Sequence, residues 1–302
     1  MTSTGAMEMR AGFLMVGSLL LATALGAQGG TDIWVAELRG SGSALSLGEL
    51  RNVTRRAGYD NQPQFAPDGN SLLYTRIDED GRAETWRAPL NGRTNVPVTR
   101  TKRRQEYSPT PMPDGRGFSA IVVEADSTQR LWAYDWNGVP QRVIVPALKP
   151  VGYHVWIGGA SIGAFVLSQP TPRDANALVL MNPQTARVDT LARGIGRAFA
   201  RVPGRDAFTF VHFHGDTAVM GEVDVRTRGV RRIVSLPRGA EYHVWLPDGS
   251  ALISGNGVLY RWYEGRLETF VDLRSRGIQD VSRLALSADG RTLALVGADP
   301  RP

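Results

Sequence analysis

The chain has 302 residues, no cysteine and a formal net charge of +6 at pH 7. The lack of cysteine excludes a disulfide framework and a thiol-based site, and a chain of this length buries a large core without either. Lys102 and Lys149 are the only lysines, and the arginines are dispersed along the chain, which argues against a nucleic-acid-binding surface.

The chain begins with a segment that has the features of a secretory signal peptide. Arg10 precedes an apolar run, Ala11–Ala27, that ends in small residues. The run holds about 17 residues and contains Gly and Ser, so it is short for a membrane span. We therefore expect residues 1–27 to be a signal peptide and the mature protein to be periplasmic or secreted. An uncleaved N-terminal anchor is the alternative.

Two short segments typical of strands follow this leader. They are Asp32–Leu38, which matches the later segment Glu84–Leu90, and Leu50–Arg55. Both are rich in residues that favour strands, and neither shows the periodicity of an amphipathic helix.

A turn motif then recurs along the chain. Aspartates at 68, 114, 248 and 289 each precede a glycine, and they are separated by 46, 134 and 41 residues. These gaps fit a repeat of about 45 residues in which the copies near positions 159 and 204 have lost the Asp-Gly pair. Asp-Gly and Asn-Gly pairs favour the tight turns of β-hairpins.

The segments between the turns have a constant layout. In one copy, strand-forming residues at Gly117–Ala125 are followed by an alternating segment, Arg130–Trp136, by the turn pair Asn137-Gly138, and by a last strand. Such a unit predicts a four-stranded antiparallel meander. Repetition of the meander predicts an all-β fold, a six-bladed β-propeller. Five full units are expected, beginning near Tyr59, Glu106, Gly152, Arg197 and Glu241.

The sixth blade is predicted to combine the two ends of the domain. After Asp280 only two strands remain, Val281–Ser287 and Arg291–Ala298. Asp32–Leu38 and Leu50–Arg55 supply the other two, which closes the ring and removes exposed sheet edges. Residues 31–302 are therefore expected to form a single propeller domain.

The turns carry a resemblance to a known family. Phe65–Gly69, Met112–Gly115, Leu246–Gly249 and Ser287–Gly290 resemble the aromatic-led Ser-Pro-Asp-Gly turns of the TolB-type six-bladed propeller. The resemblance implies this fold over the whole of residues 31–302. It implies little about function, because one fold serves many functions. The extra N-terminal domain of TolB has no counterpart here, since the first predicted strand directly follows the leader.

The tetrapeptide YHVW occurs twice, at Tyr153–Trp156 and Tyr242–Trp245, two repeats apart. The tryptophans are predicted to pack between blades, in the position of Phe65. His154 and His243 are predicted to lie near the mouth of the central channel, about 120° apart around the ring. Strands two blades apart are roughly 15–17 Å apart. A shared ligand or water network is therefore favoured over a shared metal ion, and we predict neither a metal site nor a cofactor.

The residues that open the repeats form a second candidate group. Asp60, Glu106, Glu241 and Asp280 stand at these positions, together with Arg197. If they line one rim, a largely acidic channel mouth results, which would bind a basic peptide or a cation. The alternative is that the acids accept hydrogen bonds from turns.

Two further segments resemble sites but fit turns better. His212 and His214 project from the same side of a strand, as metal ligands do, but HFHGD also reads as the tip of a hairpin. Asp78–Gly81 lacks the ligand spacing of a calcium loop. No Gly-x-Ser-x-Gly nucleophile motif occurs.

These observations favour a monomeric, exported binding scaffold without catalytic activity, which presents the channel mouth to a protein or peptide partner of the cell envelope. Two alternatives stay open, and with them the question of whether the protein is an enzyme. One is a carbohydrate-active, metal-dependent lyase that uses His154 and His243, because some lyases acting on pectin fragments use histidines in a related propeller. The other is a binder of a small ligand in the channel.

Overall fold

The structure, a computed structural model, describes residues 30–168 and 175–298. These residues form six antiparallel sheets arranged in a ring, and no α-helix occurs among them. The six-bladed propeller predicted from the sequence is therefore confirmed. No helical segment in the described part of the chain is long and apolar enough to span a membrane. The predicted signal peptide, residues 1–27, lies outside the described residues.

The first three strands belong to the blade that joins the two ends of the domain. They are β1 Thr31–Arg39, β2 Ser46–Leu47 and β3 Arg51–Asn52.

Blades 1 to 3 follow in chain order, each with its inner strand first. Blade 1 consists of β4 Asp60–Phe65, β5 Ser71–Ile77, β6 Ala83–Pro89 and β7 Val96–Pro97. Blade 2 consists of β8 Gln105–Pro111, β9 Gly117–Val123, β10 Gln129–Asp135 and β11 Pro140–Val143. Blade 3 consists of β12 Val151–Ile157, β13 Ser161–Val166, β14 Ala177–Met181 and β15 Val188–Arg193.

Blades 4 to 6 complete the ring. Blade 4 consists of β16 Ile195–Arg201, β17 Ala207–His214, β18 Thr217–Asp224 and β19 Val230–Ser235. Blade 5 consists of β20 Ala240–Trp245, β21 Ala251–Gly255, β22 Val258–Tyr263 and β23 Arg266–Asp272. Blade 6 consists of β24 Val281–Leu286 and β25 Thr292–Ala298 together with β1, β2 and β3. Short 3₁₀ turns occur at Gly42–Ala44 and Arg274–Arg276.

The ring closes in blade 6, as predicted. Strand β1 pairs with β25 in a continuous antiparallel register from Thr31 opposite Ala298 to Glu37 opposite Thr292. The predicted fourth strand, Leu50–Arg55, is reduced to the two residues of β3 because the chain turns toward Asp32. The Asn52 amide and the Thr54 hydroxyl each donate a 2.6 Å hydrogen bond to that carboxylate.

The Asp-Gly motifs form the turns between the first and second strands of their blades. Asp68 Oδ1 accepts a 2.9 Å hydrogen bond from the Asn70 amide, and Gly69 has a φ of +69°. The aspartates at 114, 248 and 289 each accept the same hydrogen bond at 3.0 Å. The repeated aspartate is therefore retained for turn geometry, which an aspartate side chain stabilises from within the turn.

The core consists of apolar clusters between adjacent blades. Phe65 packs with residues of blades 1 and 6, Trp156 with blades 2 and 3, and Trp245 with blades 4 and 5. The prediction that the two YHVW tryptophans fill the position of Phe65 between blades is thus confirmed.

Antiparallel alternation fixes which loops share a face of the ring. Each chain segment that connects one blade to the next enters at the start of an inner strand, whereas the Asp-Gly turns lie at the opposite end of that strand. We call the first side the inter-blade loop face and the second the Asp-Gly face.

Candidate functional site

A β-bulge interrupts the inner strand of every blade. The register shifts by one or more residues within β4, β8, β12, β16, β20 and β24. Three residues before the position of Phe65, at the shift or directly after it, each strand carries what we call its bulge residue; these are Gln62, Ser108, Tyr153, Ala198, Tyr242 and Arg283. Tyr153 and Tyr242 are the two that follow the shift and pair with the second strand of their blades. Gln62, Ser108 and Arg283 have positive φ angles of 59°, 52° and 45°, which is uncommon outside glycine. Bulges often redirect side chains at functional sites.

All six bulge residues line one cavity on the axis of the ring. Its volume is about 70 Å³. Of the residues predicted from the sequence, His154, Arg197 and His243 also line this cavity, whereas the four predicted acids do not. The structure thus brings together three of the seven candidates.

A cluster of tyrosines surrounds Arg283. Its guanidinium carbon lies 4.6 Å from the ring centroid of Tyr153 and 4.8 Å from that of Tyr242, within the range of cation–π attraction. Tyr59 also belongs to this cluster, because it interacts electrostatically with Arg283 and with the tyrosines at 107, 153 and 242. Burial raises the pKa of Tyr107 and of Tyr242 to about 12, so both hydroxyl groups stay protonated at neutral pH and can donate hydrogen bonds.

His154 is held by a hydroxyl group of the neighbouring blade. Its Nε2 atom lies 2.7 Å from Ser119 Oγ, and Trp156 Nε1 donates a 2.9 Å hydrogen bond to the same oxygen. Only 8% of the His154 surface is exposed. Burial lowers its pKa to about 3, so the ring is neutral at pH 7.

His243 repeats this arrangement two blades further on. Its Nε2 atom lies 2.7 Å from Thr209 Oγ1, which also accepts a 2.9 Å hydrogen bond from Trp245 Nε1. The Nδ1 atom lies 3.3 Å from the carbonyl oxygen of Glu241, so Nδ1 carries the proton and Nε2 accepts from the Thr209 hydroxyl. Burial lowers the pKa of His243 to about 4.

The histidines therefore cross-link adjacent blades. Each Nε2 atom is engaged by a separate hydroxyl, so a common metal ion that bound both histidines through Nε2 would have to displace both contacts. No group of three or more His, Asp or Glu side chains in the described ranges is placed to hold a metal ion.

Asp60 lies inside the protein and does not face a rim. Its side chain is fully buried and forms a 3.2 Å ion pair with Arg56. Burial raises the pKa of Asp60 to about 7, against the opposing effect of Arg56. The Asp60 carboxyl group therefore takes up a proton more readily than an exposed aspartate does.

Glu106 is also fully buried, at the boundary between blades 1 and 2. It accepts hydrogen bonds from Thr101 Oγ1 at 2.9 Å and from the Tyr134 hydroxyl at 3.1 Å. Burial raises its pKa to about 8, and the neighbouring carboxylate of Glu84 adds to this shift. Glu106 is thus a protonated, structural carboxyl group at neutral pH.

The remaining predicted residues are scattered. Glu241 is half-buried and accepts a hydrogen bond from the backbone amide of Arg197, whose side chain is exposed. Asp280 is exposed, and its backbone oxygen accepts a 3.1 Å hydrogen bond from the Ala298 amide. The expected acidic rim is therefore not formed, because two of its four predicted carboxyl groups, those of Asp60 and Glu106, are buried between strands. Whether any of these residues binds a ligand stays a prediction.

The loops of the inter-blade loop face carry charges of both signs. Exposed arginine and lysine side chains project from three inter-blade segments, and none of them forms an ion pair with a described carboxylate; they are Arg100, Lys102, Arg103, Lys149 and Arg238. Exposed carboxylates lie at the same end of the blades; they are Glu79, Asp126, Asp216 and Asp280. The face is therefore mixed in charge, whereas the sequence predicts a largely acidic mouth.

Reasoning from motifs did not identify Arg283 as a site residue. It also assigned no role to Tyr153 and Tyr242, although both belong to the YHVW copies. Arg283 lies in none of the repeated Asp-Gly turns. It stands near the start of a predicted strand, and nothing in the local sequence distinguishes it from the other arginines. Alignment of the six repeats on their Asp-Gly turns would have placed it in register with Tyr153 and Tyr242. That register was the available signal.

Comparisons with known proteins identify the fold. No protein-family model and no curated protein matches the chain. Among solved structures, a protein designated TolB from Agrobacterium tumefaciens is 16% identical, with a TM-score of 0.70 over 90% of this chain and 99% of that one.

Two further structures share the architecture. TolB from Acinetobacter baumannii is 16% identical, with a TM-score of 0.53 over 68% of this chain; the match spans 52% of that protein. An oligogalacturonate lyase from Vibrio parahaemolyticus is 13% identical, with a TM-score of 0.51 over 90% of this chain and 99% of that one. At such identities the similarity shows a shared fold, the TolB-type six-bladed propeller, and leaves function to the site itself.

Proposed function

We propose that this TolB-type propeller is an exported binding scaffold without catalytic activity, which binds a peptide or protein partner of the cell envelope on its inter-blade loop face. The observation that carries the proposal is the size and position of the axial cavity. It holds about 70 Å³ and is lined by one bulge residue from every blade. Pockets for whole small molecules usually measure about 300–1,000 Å³.

The cavity suits one side chain or one chain end of a larger partner. The rest of such a partner would lie on the loops around the cavity, where a stable interface needs about 800 Å² from each side. The exposed basic residues of those loops, Arg100 and Arg238 among them, would then accelerate encounter with a partner of opposite charge.

The lyase alternative has a specific argument in its favour, since an oligogalacturonate lyase shares the fold and two histidines line the cavity. Two features favour the scaffold. Both imidazole Nε2 atoms are engaged by hydroxyls of the neighbouring blade. The cavity is also too small for an oligosaccharide.

Site-specific photo-crosslinking in the cell envelope tests the proposal. A photoreactive residue replaces Arg238, on the inter-blade loop face, or Arg116, in an Asp-Gly turn on the opposite face; both arginines are exposed. We expect one discrete cross-linked product from position 238 and none from position 116. Equal products from both faces, or none from position 238, would contradict the proposed binding face.

A further inference from the structure

Arg283 is a cation in the axial cavity that lacks a negatively charged partner. It lines the cavity, and no carboxylate of the described residues forms an ion pair with it. The groups that interact most strongly with its guanidinium are the tyrosines at 59, 153 and 242. A charge withdrawn from water needs compensation by an opposite charge or by hydrogen bonds.

The aromatic neighbours supply part of that compensation. The faces of Tyr153 and Tyr242 lie 4.6 and 4.8 Å from the guanidinium carbon. A hydrogen bond to the Tyr153 side chain supplies a further part. A guanidinium group has five N–H donors, however, and aromatic faces attract the charge without accepting those hydrogens in the plane of the group. The hydrogen-bonding capacity of Arg283 is therefore incompletely used.

The other residues that line the cavity also provide no negative charge. It contains a second arginine, Arg197, and no aspartate or glutamate. Two of its buried polar atoms, Ser108 Oγ and His154 Nδ1, have no hydrogen-bond partner among the described residues. Two residues with unsatisfied buried polar atoms thus lie at this cavity together with an arginine that forms no ion pair.

Unpartnered buried polar groups are rare in folded proteins and point to a ligand, ion or water that completes them. We propose that the axial cavity is an anion site that receives one carboxylate group of the peptide partner, either its C-terminal carboxylate or an Asp or Glu side chain. The assignment rests on the proposed function and names the chemistry of its partner. A carboxylate is planar and small, and a guanidinium group binds it through two parallel hydrogen bonds.

The structure offers a well-matched substitution for the test. Gln62 occupies the bulge position of blade 1 with a φ of 59°, close to the 45° of Arg283. Arg283→Gln therefore places in blade 6 a residue that the same backbone geometry already accepts. Arg116→Gln, in an exposed Asp-Gly turn on the opposite face and outside the cavity, is the control for the loss of one positive charge.

The experiment measures binding to the mature chain by titration calorimetry and by NMR of the arginine side chains at constant salt. The probes are N-acetylglycine, a peptide-like C-terminal carboxylate; N-acetylaspartate N′-methylamide, a side-chain carboxylate; N-acetylglycinamide; and inorganic phosphate. We expect at least one carboxylate probe to bind saturably, at least tenfold more weakly to Arg283→Gln, and with unchanged affinity to Arg116→Gln. The carboxylate probe with the higher affinity identifies whether the C-terminus or an acidic side chain of the peptide enters the cavity.

Several results would overturn the assignment. They are equal binding of the amide and the acid, an affinity of Arg283→Gln within twofold of the parent chain, or phosphate binding tenfold more tightly than both carboxylates. If Arg283→Gln fails to fold, Ser108→Gly provides the second variant, because glycine tolerates the positive φ of 52° at that position. It removes one donor, and we expect a loss of carboxylate affinity of at least threefold; unchanged affinity contradicts the proposal.

Different results would contradict the carboxylate site and the proposed scaffold function. A cross-linked partner whose yield is the same in Arg283→Gln would remove the carboxylate site and leave the scaffold function in place. Saturable carboxylate binding without any cross-linked partner would retain the anion site and remove the scaffold function.

Discussion

Single hydroxyl groups hold the two buried histidines of this ring in place. Ser119 and Thr209 each accept a hydrogen bond from a tryptophan and form a 2.7 Å hydrogen bond with Nε2 of a histidine of the next blade. The two sets have the same geometry although one uses serine and the other threonine. The hydroxyl oxygen is therefore the required group, and the additional methyl group of threonine is secondary.

We expect Thr209→Val to lower the free energy of unfolding by about 2–4 kcal/mol, because it leaves His243 Nε2 and Trp245 Nε1 buried without partners. Thr209→Ser retains the hydroxyl found in the equivalent Ser119 and should lose no more than about 1 kcal/mol. Urea unfolding of the three proteins measures both values. Similar losses in the two variants would show that packing, and not the hydroxyl, decides.

The buried carboxyl group of Glu106 makes stability depend on pH. Its pKa rises from an ordinary value near 4.5 to about 8 on folding, so between these pH values the folded chain holds a proton that the unfolded chain releases. The free energy of unfolding therefore decreases as the pH rises through this range. We expect Glu106→Gln, which is neutral at every pH, to reduce this decrease and to stabilise the protein at pH 8.

Urea unfolding at pH 5, 6, 7 and 8 measures the effect. Glu79→Gln, an exposed position in the loop between β5 and β6, serves as the control and should leave the pH dependence unchanged. A slope in Glu106→Gln equal to that of the parent chain would contradict the assignment of a raised pKa to this group. Below about pH 6.5 the buried neutral histidines act in the opposite sense and destabilise the fold as the pH falls.

Turns of the same sequence type contribute differently to stability in different blades. Asn91-Gly92 and Asn137-Gly138 are equivalent turns, and their glycines have φ angles of +83° and +79°. A Cβ atom on Gly92 would meet no atom within 4 Å, whereas one on Gly138 would lie 2.0 Å from the carbonyl oxygen of Val98 in the neighbouring blade. The second turn is thus also a contact between blades.

We expect Gly92→Ala to lower the free energy of unfolding by about 1–2 kcal/mol, the penalty of a left-handed conformation for alanine. Gly138→Ala carries the same penalty and also forces two blades apart, so we expect a loss at least about 1 kcal/mol larger. Thermal or urea unfolding of the pair measures the difference. Equal losses would mean that the Val98 contact relaxes without an energetic penalty.

Strands and turns were predictable from the sequence because each is specified locally. The Asp-Gly turns, β1, β24 and β25 occur where short-range pattern places them. The short β3 was not predictable, because the carboxylate of Asp32 redirects the chain after Asn52. The candidate site was predicted only in part, because a bulge in each inner strand decides which side chains reach the axis, and no local pattern marks it. Arg283 faces the cavity for this reason, whereas Asp60 and Glu106 do not.

At the scale of the whole molecule, closure of the ring depends on strand β1. It lies between β25 and β3, and Val35 pairs with Ala294 on one side and with Arg51 on the other. The buried side chain of Val35 also joins the cluster between blades 6 and 1. This strand therefore links both ends of the domain through backbone pairing and through the core.

We expect Val35→Pro to lower the free energy of unfolding by about 3 kcal/mol or more, because proline removes a donor from a central strand. Thr94→Pro, in the exposed loop between β6 and β7, serves as the control and should have little effect. Urea unfolding and protease resistance measure the loss. A parent-like stability of Val35→Pro would show that blade 6 does not need this pairing.

The pairing of β1 with β25 also sets a temporal order. The ribosome makes Thr31 before blades 1 to 5 and Ala298 after them, yet the two residues are neighbours in the finished sheet. Strand β1 must therefore wait for β25, and during that interval an apolar strand edge is open to other chains. Bringing such distant segments together is slow. Assembly of this ring therefore ends with the joining of its two ends, and a chaperone that shields the first strand would act on the stage most exposed to aggregation.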